Sequence, residues 1–146
     1  MKSFTIALIG NPNVGKSAIF NELTGANAHV GNWPGVTVEK KEGKFTYLDT
    51  EINVVDLPGI YSLSADSIDE RIARDYIVKQ KPDLVVCIVD STNLVRNLYL
   101  FVLLKELGAK TLLVLNIIDL IDNKLEIDDA KLSQSLKTRV VKTSAT

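Results

Sequence analysis

One cysteine in 146 residues excludes an internal disulfide framework, and with it the stapled folds of small secreted proteins. Charge of either sign is not in surplus: 17 Lys and Arg stand against 18 Asp and Glu, for a formal net charge of -1. That balance leaves no electrostatic footprint for nucleic acid or an anionic membrane surface, so no nucleic-acid partner is expected. Histidine and tryptophan occur once each, as His29 and Trp33. Without a second histidine or a cysteine cluster, nothing has the spacing of a transition-metal site. Long hydrophobic runs are missing too. The most apolar segments, 84–89 and 112–121, are shorter than the ~20 residues that span a bilayer or are interrupted by Asn116 and Asp119. The N-terminal apolar run passes straight into glycines and a lysine rather than a small-residue cleavage site, so no signal peptide is read and a cytosolic setting is expected.

What is present is an ordinary folded composition, 46% hydrophobic and 24% charged, in a length that fits one domain. Apolar β-branched runs alternate with segments of helical spacing, the pattern of a doubly wound α/β sheet. Strands are expected at 4–9, 84–89, 111–115 and 140–141, with a hairpin pair at 38–47 and 51–55. Helices are expected at 16–24, 68–79, 93–107 and 128–136, and Gly25 and Gly108 stand where helix-ending glycines belong. LVVCIV and TLLVL are near-continuous hydrophobic strands, suited to a parallel sheet covered on both faces. Cys87, inside the first, reads as a small buried hydrophobe without chemistry.

Gly10 to Ser17, GNPNVGKS, fits the phosphate-loop pattern GxxxxGK[ST] between an expected strand and an expected helix. The run Asn11, Pro12, Asn13, Val14, Gly15, Lys16, Ser17 and Ala18 is the expected cradle for a polyphosphate. Backbone N–H groups and the helix N-terminus favour the anion, Lys16 supplies a point charge, and Ser17 is a ligand for Mg²⁺. In DLPG, Asp56 falls at the carboxyl edge of the sheet, where it can hold Mg²⁺ through water. Gly59 permits a close backbone approach, so its N–H can sense a γ-phosphate. NIID puts Asn116 and Asp119 at the same edge, where the aspartate accepts from two adjacent donors of guanine that adenine does not offer. Ser144 and Ala145 can add a backbone N–H to the guanine oxygen.

Taken in order, GNPNVGKS, Thr37, DLPG, NIID and the terminal SA resemble the signature set of the translation-factor-related, Ras-like GTPase superfamily over essentially the whole chain. The resemblance implies a P-loop NTPase fold: a mostly parallel six-stranded sheet with one antiparallel strand and helices on both faces. It implies GTP binding with Mg²⁺ and hydrolysis to GDP and phosphate. Thr37, with Gly35 and Val36 beside it, would then be the switch I threonine that meets Mg²⁺ and the γ-phosphate. Lys16, Asn13, Thr37 and Gly59 would form the catalytic set.

Within that superfamily, VGNWPGVTVEKKEG and VVDLPGIYSL resemble the cytosolic G domain of the ferrous iron transport protein B family. Residues 1–146 then read as one G domain whose final C-terminal helix would lie past Thr146. The resemblance implies a helical spacer and a transmembrane region in the remainder of a membrane iron transporter, and a place on the cytoplasmic face of the membrane. A ribosome-assembly or tRNA-modification GTPase and a non-catalytic guanine-nucleotide sensor are the competing readings.

The resemblance also raises the question of charge compensation. Ile60 occupies the position of the water-orienting glutamine and can neither donate nor accept. No arginine lies in the phosphate loop or in residues 25–38. In relatives, a phosphate-loop asparagine and switch I carbonyls bind K⁺, which here implies Asn13, Gly31 and Trp33 and a slow, K⁺-stimulated turnover. Asn13 also reads as a turn residue tolerant of left-handed backbone. Ile117 departs from the usual Lys or Met. HVGNWPGVT, residues 29–37, is expected to be an irregular switch I loop in which Trp33 either latches the loop or shields the nucleotide. Asp66, Asp69, Glu70, Arg71, Arg74 and Asp75 read as the solvated face of a switch II helix; the sharper reading is a docking face for the rest of the transporter or a second G domain.

Overall fold

The computed structural model describes residues 2–64, 66–116 and 139–143. Seven strands form one sheet in the order β2-β3-β4-β1-β5-β6-β7: β1 Lys2–Gly10, β2 Ala28–Asn32, β3 Glu39–Tyr47, β4 Thr50–Asp56, β5 Leu84–Asp90, β6 Thr111–Asn116 and β7 Arg139–Thr143. β1 pairs in parallel with both β4 and β5, and β5, β6 and β7 continue in parallel. β3 runs against its neighbours β2 and β4, so it alone is reversed. All six expected strands are present.

β2 is an addition. It pairs Ala28 with Gly43 and Asn32 with Glu39, so the first half of the stretch expected to be irregular is an edge strand. Its pleat is set by the tertiary ladder to β3, not by any alternation of its own, since all five residues are exposed. The β3–β4 hairpin turns at Leu48 and Asp49, φ 46° and 61°, the left-handed pair of a two-residue turn that matches strand twist.

Three α-helices are described: α1 Lys16–Thr24, α2 Ile68–Asp75 and α3 Leu94–Glu106. The expected helix 68–79 is split, because α2 passes into a π-helical turn, Tyr76–Gln80. Ser67 caps α2 by accepting from the Glu70 N–H at 3.1 Å. The expected helix at 128–136 lies outside the described residues.

Successive strand residues feed two apolar layers, as period 2 requires. Ala7, Ile9, Cys87, Leu113 and Leu115 pack on one face with Phe101, Leu104 and Ala73 from α3 and α2. Leu8, Val54, Val86, Ile88 and Val114 pack on the other with Phe20 of α1. The chain leaves β1 toward β4 on one side and later toward β5 on the other, so the carboxyl end of β1 is the switch point where open α/β sheets bind ligands.

Candidate nucleotide site

The loop after β1 turns back into α1 through left-handed backbone at Asn13 (φ 65°) and Gly15 (φ 87°). Asparagine and glycine are the residues that take this conformation at least cost. Gly15 caps α1 without a side-chain acceptor, so the first-turn N–H groups are left for an anion. Around them opens a cavity of about 690 Å³, lined by Asn11, Pro12, Asn13, Gly15, Lys16, Ser17, Ala18, Gly59 and Asp69. Val14 faces inward under α1, so only its backbone serves the loop.

Lys16 donates to Asp56, in an ion pair between two largely buried side chains. The ends of β1 and β4 hold this pair in register, with Leu8 opposite Asp56. Gly59 sits hard against the phosphate loop: a Cβ there would come within 3.1 Å of Pro12 Cα. Ile60, 2% exposed, donates its N–H to the Gly10 carbonyl at 3.0 Å, and its side chain belongs to the core. Asn116, fully buried at the end of β6, donates from Nδ2 to the Val14 carbonyl at 2.8 Å and so braces the loop. Asp119, Ser144 and Ala145, expected from the sequence to read guanine, and Ile117 lie outside the described residues.

The stretch expected to be switch I, residues 29–37, does not line this cavity. Gly31 is in β2 opposite Lys40, Gly35 (φ 76°) and Thr37 are exposed, and Val36 packs against the core. Trp33 is 8% exposed and belongs to the apolar core, with its ring edge-on to Tyr76 and under Lys40. Of its two sequence readings, the latch describes its position here, and its carbonyl accepts from the Val36 N–H at 3.2 Å. Arg74 is exposed, as read, and its guanidinium also donates to the Leu63 carbonyl at 3.2 Å. Asp69 at the phosphate cavity and the Lys16–Asp56 pair went unforeseen. The Ser67-x-x-Glu70 capping pattern was the available signal, because it sets Asp69 in the first turn of α2.

A family model described as ferrous iron transport protein B matches residues 4–146. The chain belongs to the ferrous iron transport protein B family. The Fe(2+) transporter FeoB of Methanocaldococcus jannaschii is 71% identical over 109 residues, 75% of this chain and 16% of the relative. That of Salmonella typhimurium is 50% identical over 146 residues, 97% of this chain and 19% of the relative. The chain therefore spans less than a fifth of these FeoB relatives. Among solved structures, the FeoB G-domain from Methanococcus jannaschii superposes with a TM-score of 0.87 at 59% identity, over 99% of this chain and 87% of that one. A mutant S. thermophilus NFeoB bound to GDP gives 0.88 at 50% identity, over 97% of this chain and 56% of that one. The fold is thus that of the FeoB G domains, a P-loop GTPase fold, and the RNA-linked GTPase families are not favoured.

Proposed function

We propose that this chain binds GTP and GDP at the loop Gly10–Ser17, hydrolyses GTP slowly, and acts as the nucleotide switch of a ferrous iron transporter. The observation that carries the reading is the cavity lined by the uncapped start of α1 and by Lys16, itself ion-paired with Asp56, at the switch point of the sheet. The solved GDP complex of a half-identical relative supports the choice of nucleotide. Lys16 would receive the β/γ-phosphates. Hard oxygen donors suit Mg²⁺, and Ser17 and Asp56 fit it here, with Thr37 joining when switch I closes. When bound, Mg²⁺ neutralises charge on the phosphates. Asp119 would select guanine, with Ser144 and Ala145 at the guanine oxygen.

K⁺ would be held by Asn13 together with the carbonyls of Gly31 and Trp33 after rearrangement of switch I, since Asn13 already lines the cavity. The guanine-nucleotide domain would sit on the cytoplasmic side, joined to the helical and transmembrane remainder of the transporter. A second reading, a nucleotide sensor with incidental hydrolysis, draws on Ile60, whose buried apolar side chain leaves the position after Gly59 unable to orient water. Calorimetric titration with GDP, GTP and ATP, followed by phosphate release, tests both. Tight guanine-nucleotide binding, weak ATP binding and measurable turnover are expected. Binding without turnover selects the sensor, and equal affinity for ATP overturns the guanine reading.

A further inference from the structure

Between Ala28 and Thr37, Trp33 is the one deeply buried residue, and the ring it rests on lies outside the nucleotide site. That ring is Tyr76, the first residue of the π-helical turn that continues α2. The two meet edge to face, with centroids 5.8 Å apart and planes at 75°. The Lys40 ammonium covers the indole at 4.7 Å. A groove of about 480 Å³, open to solvent, is lined by Trp33, Pro34, Lys40 and Tyr76, so the pair sits at the edge of the core. Trp33 Nε1 is buried without an acceptor, which makes the seat good in apolar terms and poor in polar ones. An indole leaving it gains a water oxygen to which its N–H can donate.

The backbone ties this seat to Thr37. Trp33 donates its N–H to the Val38 carbonyl at 2.9 Å, and its own carbonyl accepts from Val36. Residues 33–38 are thus one closed turn, and Thr37 is exposed on it, away from the phosphate cavity. Any approach of Thr37 to the phosphates carries the turn, and Trp33 with it.

We infer that Tyr76 is a positioning residue for switch I: it holds Trp33, and through it the 33–38 turn, in a position withdrawn from the phosphates. Closure of Thr37 and release of Trp33 from Tyr76 are one event. The inference deepens, and rests on, the nucleotide reading above. Because Tyr76 opens the π-helical turn that continues α2, and such turns are frequent at functional sites, the same event links switch I to the helix that follows DLPG.

Trp33 is the chain's single tryptophan, so its emission reports the latch directly. The 146-residue chain is titrated with GDP and with a non-hydrolysable GTP analogue in the presence of Mg²⁺, and binding is measured by calorimetry on the same samples. Emission is expected to stay that of a buried indole with GDP and to move to longer wavelength with the analogue. Tyr76→Ala is expected to show the shift before nucleotide is added and to favour the analogue over GDP by a further roughly two- to tenfold, the effect of losing one aromatic edge contact. Tyr76→Phe keeps wild-type behaviour. Analogue binding with unchanged emission overturns the latch while leaving the nucleotide site intact. If calorimetry shows no binding of either nucleotide, the site reading fails and the latch with it. The wild-type titration decides alone should the alanine variant not fold.

Discussion

The Lys16 ammonium is ion-paired with the Asp56 carboxylate, their side chains 11% and 9% exposed at the mouth of the phosphate loop. The cation suited to phosphate and the anion suited to Mg²⁺ neutralise each other. On the proposed reading, a nucleotide that claims Lys16 would release Asp56 for Mg²⁺, and the two ligands would favour each other's arrival.

Asp56→Asn separates these roles. Its GDP affinity in EDTA is expected to equal or exceed that of the wild type, because Lys16 no longer has a competitor. The gain in affinity on adding Mg²⁺ should fall by roughly 10- to 100-fold, as for loss of a group that orients a metal's ligands. Calorimetry with and without Mg²⁺ checks both; a loss of affinity in EDTA would contradict the idea.

Asn116→Ala removes the donor to the Val14 carbonyl and leaves that oxygen buried. An unsatisfied buried group costs about 1–3 kcal/mol, so the urea midpoint should fall by that equivalent with the slope unchanged. GDP affinity should fall as well, since the loop loses its brace. A variant as stable as the wild type would place the brace elsewhere.

Asn13 links the cation question to a backbone position. Turnover in KCl is expected to exceed that in NaCl at equal ionic strength by on the order of tenfold or more, because a fixed positive charge stabilises the transition state. In Asn13→Ala the two salts should give the same low rate. Equal wild-type rates would reject K⁺.

Cys87 is fully buried, and burial pushes its thiol from 9.0 up to about 12. The folded state therefore keeps a proton that the unfolded state gives up. Its contribution is whole below about pH 9 and declines as pH rises toward 12. Relative to Cys87→Ala, wild-type stability should drop by about 1 kcal/mol between about pH 8 and about pH 10, read from urea curves. Native Cys87 should also resist alkylation until the chain is unfolded.

The phosphate loop, DLPG and Asn116 were legible because each is a short pattern bounded by a strand and a helix, with chemistry written in contiguous residues. β2 was not, since Ala28–Asn32 has no buried side of its own and becomes a strand only by pairing with β3. The π-turn was equally hidden, because YIVKQ continues the apolar spacing of α2. Trp33 was recognised as unusual, but its seat belongs to Tyr76, far away in sequence. Likewise the Lys16–Asp56 pair follows from the register of β1 and β4, which local propensity does not encode.

The last rung of the β2–β3 ladder joins Asn32 to Glu39. Both ends of the 33–38 turn are thereby pinned to the same sheet edge, and the turn behaves as a short loop of string held at two neighbouring points. Thr37 lies two residues from Glu39, so it reaches roughly 7 Å from that anchor, and the ladder sets the radius it can sweep. Each further rung that opens lengthens the tether by one residue on either side. The edge of the sheet thus sets the stroke length of the switch.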